Sequence, residues 1–203
     1  MPVQTYFNTH IEGTAAVAIS PDSKFIASIS AQQPQVLAVW EWTTDSETPV
    51  CSVELEEIYG LQDYIRFNRN KPSQIVTNST HQALFFEWDE QNGFQFFAPI
   101  LNDETFHRKV GILTQSIFQI QKGRALTGTS RGNLVVWQPM DDKSHICDKK
   151  AFKLFKLQEN SINVLTTMNE YSLFNQLCIF TNFSNFFKID ILLLVMLKEK
   201  LNL

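Results

Sequence analysis

The chain has 203 residues, a formal net charge of −4 from 17 basic and 21 acidic residues, and 44% hydrophobic residues. That is long enough to bury a core, and no basic stripe draws in a phosphate backbone, so nucleic-acid binding is not expected. Seventeen Phe, four Tyr and four Trp against 19% charged residues favour strands over solvated helices. Three separated cysteines, Cys51, Cys147 and Cys178, argue against a disulfide framework and for a reducing compartment.

In chain order, Pro2 to Phe7 reads as a strand with neither a basic nor an apolar leader region, so no signal peptide is expected. The stretch Ala15 to Ser20 alternates into the turn Pro21-Asp22-Ser23-Lys24, and Phe25 to Ser30 forms the next strand. Val36 to Trp42 and Thr48 to Leu55 complete a four-stranded meander. A second unit runs through Asp63 to Asn68, Gln74 to Ser79, Ala83 to Trp88 and Phe94 to Ile100, with Asn92-Gly93 as a hairpin signal. After a polar insertion at Leu101 to Gln115 comes a third unit: Ser116 to Ile120, Arg124 to Thr129, Asn133 to Trp137 and Ala151 to Leu157. Its last connection, Pro139 to Lys150, is expected to be a flexible surface loop.

Trp40, Trp88 and Trp137 mark the third strand of each unit at spacings of 48 and 49 residues, the signature of an array of small antiparallel sheets. Blades are expected near residues 15–55, 63–100 and 116–157, with partial strands at 2–7 and 162–169 inside a repeat segment of residues 1–170. Residues 171–203 read as a divergent or mis-predicted end, helical or irregular. Its apolar run Ile189 to Leu197 contains Asp190 and is about half the roughly 20 residues of a spanning helix, so no membrane segment is expected.

No catalytic, cofactor or metal constellation is expected. His10, His81, His107 and His145 fall in connections without a second ligand at metal spacing and read as surface or turn residues. Asp141-Asp142 and Glu54, Glu56 and Glu57 read as solvated charge rather than as an acid/base pair. Cys51, Cys147 and Cys178 have no partner His for thiol chemistry. The three tryptophans are expected to pack between blades. The two inserted loops, Leu101 to Gln115 and Pro139 to Lys150, are the clearest candidates for partner contact, with tolerated insertion as the alternative.

The stretch Gly128-Thr129-Ser130-Arg131-Gly132-Asn133-Leu134-Val135-Val136-Trp137 resembles a WD repeat, which implies a WD40-type β-propeller fragment in the all-β class. It departs from the family pattern at Arg131 and Gln138, where Asp is usual, so the family's buried Asp-His-Ser/Thr-Trp network is not expected to be complete in the third blade. His10-Ile11-Glu12-Gly13 echoes the family's Gly-His only loosely.

Less general stretches narrow the resemblance. Glu47 to Cys51, Tyr59 to Asn68, Val76 to Ser79, and Thr105-Phe106 through Val110-Gly111 to Phe118 are similar to the WD-repeat cilia- and flagella-associated protein of the calmodulin- and spoke-associated complex, collinearly from Pro2 to Thr167. This implies a non-enzymatic scaffold of the ciliary or flagellar axoneme at the radial spoke base, supporting ciliary motility. It also implies calmodulin, other subunits of that complex and the doublet microtubule as neighbours. Without an Asp-x-Asp-x-Asp-Gly loop, calcium binding is not carried over. A WD-repeat adaptor of a ubiquitin-ligase or trafficking complex is the alternative, and a propeller hydrolase a distant third. An array of about three and a half blades cannot close on itself, so the chain reads as a fragment that packs on a partner or aggregates.

Overall fold

The computed structural model describes residues 10–119, 123–140, 148–168 and 176–180. The strand expected at Pro2 to Phe7, the apolar run Ile189 to Leu197, His145, Asp141-Asp142 and Cys147 lie outside these residues.

The first sheet is a meander of β1 (Thr14–Ile19), β2 (Phe25–Ser30), β3 (Gln35–Glu41) and β4 (Cys51–Leu55), paired in that order. The second contains β5 (Tyr64–Asn68), β6 (Lys71–Asn78), β7 (Ala83–Asp89) and β8 (Gly93–Phe97). The third contains β9 (Leu113–Phe118), β10 (Ala125–Thr129), β11 (Asn133–Pro139) and β12 (Lys149–Lys156). Finally, β13 (Val164–Met168) pairs antiparallel with β14 (Gln176–Phe180), so strand pairing reaches past residue 170. Among the described residues no helix is long and apolar enough to cross a membrane.

Middle strands of the second and third sheets are apolar on both faces because each of these two sheets is covered on both sides. In β7, adjacent side chains point oppositely: Phe86 joins a core with Ile29, Leu37 and Val39 of the first sheet, while Phe85 joins a core with Val135 and Trp137 of the third. A third cluster places Leu126, Leu134 and Val136 against Ile162 and Leu165 of the last unit. Trp88 meets Phe25 of the first sheet edge-on at 4.9 Å, and Trp137 meets Phe85 of the second at 5.6 Å. These two tryptophans bind one sheet to the preceding one. The first strands of successive sheets, β1, β5, β9 and β13, lie side by side. They wall one cleft of about 380 Å³ that includes Ile19, Arg66, Ile117 and Thr166, which marks the axis of a radial array.

Several expected strand ends move, and two of the shifts change what a connection is. Leu113, Thr114 and Gln115 belong to β9 rather than to the polar insertion, because Leu113 inserts into the second core and Gln115 Oε1 accepts the Leu165 amide at 3.1 Å. Lys149 and Lys150 belong to β12 rather than to a surface loop. Lys149 is 1% exposed; its ammonium donates to the Gly123 carbonyl at 2.8 Å and lies over the rings of Phe85 and Phe118. An aromatic cage with a carbonyl offsets the desolvation of one cation, and a composition-based reading of a charged run has no means to show this.

Candidate functional site

The register across each sheet decides what the tryptophan indole meets. Ile26 lies opposite Trp40, and Ser28, two residues on, accepts the Trp40 indole N–H at 2.9 Å. His10 Nε2 lies 2.9 Å from the same hydroxyl. Burial pulls the His10 imidazole below its ordinary value of 6.5. In the third sheet Ala125 lies opposite Trp137, and Thr127, again two on, accepts the indole N–H at 2.8 Å while its oxygen sits 2.7 Å from Ser116 Oγ.

In the second sheet Ile75 occupies the corresponding place. With no hydroxyl there, the Trp88 indole donates to the Pro72 carbonyl at 3.1 Å. The family network is thus partly built in two sheets and replaced in one. His10, expected in a surface or turn role, extends the network of the first sheet, and the third sheet retains its hydroxyl–indole half without the acid.

The other expected site residues remain dispersed. His81 is exposed at a turn where its amide donates to Ser79 Oγ at 3.2 Å, and His107 is exposed with φ 49° at the end of a 3-10 helix. Glu54, Glu56 and Glu57 are exposed. Burial, then the Asp89 charge, pushes the buried Cys51 thiol up to about 12, so it holds its proton at neutral pH and is a poor nucleophile. Cys178 lies on β14 opposite Thr166.

The inserted loop at Leu101 to Gln115 has its own architecture. Asn102 caps the 3-10 helix Asp103–Phe106 through a reciprocal pair with Thr105, and Asp103 Oδ1 accepts the Val110 amide at 2.9 Å. From the third sheet, buried Asn133 donates its side-chain N–H groups to the carbonyls of Lys109 at 3.3 Å and Val110 at 2.9 Å. Ile112 and Ser130 exchange two further bonds, at 2.8 and 3.1 Å. Gly111 lies under Arg131, whose Cγ would stand 2.8 Å from a Cβ at that position.

This stapling brings Arg108 and Lys109 of the loop beside Arg131 of the β10–β11 turn and Lys156 of β12, around a cleft of about 430 Å³. Composition gave no sign of this gathering, since the four cations come from three separate segments and the chain is net acidic. Lys156 donates to the Arg131 carbonyl at 2.8 Å and pairs with exposed Glu159 at 3.2 Å. The Arg108, Lys109 and Arg131 side chains have no ion-pair partner among the described residues.

Four-stranded sheets, radial order and hydroxyl–indole pairs define a β-propeller fragment of the WD type. Solved propellers share the arrangement. The β-propeller domain of Myceliophthora thermophila Cps50 (Swd1) superposes with a TM-score of 0.54 at 11% identity, over 87% of this chain and 56% of that one. Saccharomyces cerevisiae Sqt1 superposes with a TM-score of 0.61 at 11% identity, over 87% and 44%. The model of the CFAP251 N-terminal domain matches residues 1–176, and the chain belongs to that family. Cilia- and flagella-associated protein 251 of Mus musculus is 38% identical over 84% of the chain and 14% of its own length. The protein of the same name from Chlamydomonas reinhardtii is 25% identical over 84% and 23%. The chain therefore spans less than a quarter of these relatives.

Proposed function

We propose that the chain is a propeller segment of a non-enzymatic scaffold in the ciliary or flagellar axoneme, at the radial spoke base, supporting the regulation of motility through protein–protein contacts. The observation that carries this reading is family membership over residues 1–176, in a family whose curated relatives are named cilia- and flagella-associated. Its neighbours in this reading are other subunits of the calmodulin- and spoke-associated complex, calmodulin and the doublet microtubule.

The fold suits such a role. Sheets locked through shared cores present rigid edges and loops for docking, whereas the axial cleft gathers Arg66 and Arg69 with apolar residues and no acid among its lining. Arg66 itself donates to the Tyr64 hydroxyl at 3.0 Å.

The test is the location of the tagged full-length protein. It is expected to stay with axonemes after detergent extraction and to map to the spoke base by cryo-tomography of labelled axonemes. Complete release with the membrane-matrix fraction would overturn the axonemal reading, and retention at another periodic site would overturn the spoke-base placement.

A further inference from the structure

We propose that the cleft formed by Arg108, Lys109, Arg131 and Lys156 is a docking site for a short acidic peptide segment of a partner protein. The inference follows from charge and shape and does not rest on the axonemal reading. Four cations line one cleft, and of these four only Lys156 stands in an ion pair among the described residues. Glu159 pairs with Lys156 alone, and Asp103 is bound to the Val110 amide.

The cations are also held by ordered backbone. Asn133 fixes the carbonyls of Lys109 and Val110, the Ile112–Ser130 pair ties the loop to the β10–β11 turn, and the Arg131 stem lies over Gly111. Such a frame lowers the ordering cost of binding. Arg108 and Arg131 carry planar forks suited to paired bonds with carboxylates.

Size and net charge narrow the ligand. A cleft of about 430 Å³ has room for several side chains of a bound segment. Net charge −4 opposes a long polyanion, which would sample the acidic remainder of the surface, whereas a short segment feels mainly the local cations. A peptide carrying a few carboxylates meets both conditions.

The experiment uses the full-length protein and a fluorescein-labelled Glu-rich peptide of about ten residues, with fluorescence anisotropy read at low and near-physiological salt. Binding is expected to weaken with salt, and to weaken about tenfold in the Arg108→Gln/Lys109→Gln double variant as rim charges are lost. Both side chains are exposed and the carbonyl bonds from Asn133 involve only backbone, so the double variant keeps the loop's staples; an unchanged unfolding midpoint checks this. Lys24→Gln, on the exposed β1–β2 turn, is expected to bind as wild type, and a Lys-rich peptide is expected not to bind. Equal affinity in the double variant and the wild type would overturn the proposal, as would no binding at low salt. Displacement by equimolar inorganic phosphate would mark a small-anion site instead, and tighter binding of single-stranded RNA would mark a generic polyanion surface; either result overturns the peptide assignment.

Discussion

At the scale of single residues, the hydroxyl beside each indole decides whether a sheet keeps the polar network. Ser28 receives the Trp40 N–H, which leaves its own proton available to a neutral His10 Nε2. A protonated His10 would become a donor and compete with the indole for the serine oxygen. Burial acts in the same direction, holding the imidazole below its ordinary 6.5. Because the folded state binds this proton less readily than the unfolded chain, the contribution is fully present above 6.5 and is lost as pH falls through the lowered value. Unfolding midpoints measured at about pH 7.5 and about pH 5.5 should therefore separate further for wild type than for His10→Gln. Identical pH dependence in the two proteins would remove His10 from the network's energetics. The tryptophans were legible in sequence from their spacing. The place of His10 was not, because it depends on a side chain reaching across 18 positions to β2, which neither local pattern nor metal-ligand spacing reports.

At the scale of elements, alternation and turn chemistry placed the strands, while the connections between sheets became clear only in three dimensions. Two of the stretches that carry the family resemblance, Tyr59 to Asn68 and Val76 to Ser79, bond to one another and to the first sheet. Thr77 Oγ1 donates to Gln62 Oε1 at 2.7 Å, the Gln62 amide donates to Gln35 Oε1 at 2.6 Å, and Ser79 Oγ donates to the Tyr59 carbonyl at 2.9 Å. They are the inter-sheet crossing, which explains physically why they say more about this array than the repeated strands do. The turn at Gly132 makes the corresponding crossing from the third sheet. Its φ is 70°, its carbonyl accepts from the Leu157 and Gln158 amides, and a Cβ would lie 2.1 Å from the Gln158 carbonyl oxygen and 2.5 Å from that of Asn160. Gly132→Ala therefore combines left-handed strain with a backbone clash, and is expected to cost about 3 kcal/mol or more in denaturant unfolding. A loss below about 1 kcal/mol would show that the Gln158–Asn160 segment moves aside freely. The glycine was legible as a turn residue, but the segment packed against it was not.

At the scale of the whole molecule, alternation says which residues share a face but not whether that face has a neighbour. In β1, Ala16 and Ala18 pack against the first core, whereas the alternating Val17 and Ile19 are 60% and 62% exposed. The same face of the first sheet carries Ser28 and Trp40, on the side away from the second sheet. An exposed apolar row on a first strand favours association, because burying it against another surface gains transfer free energy that solvent cannot supply. The isolated 203-residue chain is accordingly expected to self-associate with rising concentration, as followed by light scattering coupled to size-exclusion chromatography. The Val17→Thr/Ile19→Thr variant should shift the population toward monomer, since threonine keeps the β-branch that suits a strand while replacing a methyl with a hydroxyl that water can satisfy. Matching circular dichroism spectra would show that the strand survives the change. A wild-type chain that stays monomeric across the concentration range, or a double variant that associates as strongly as wild type, would mean that this face is not what drives assembly.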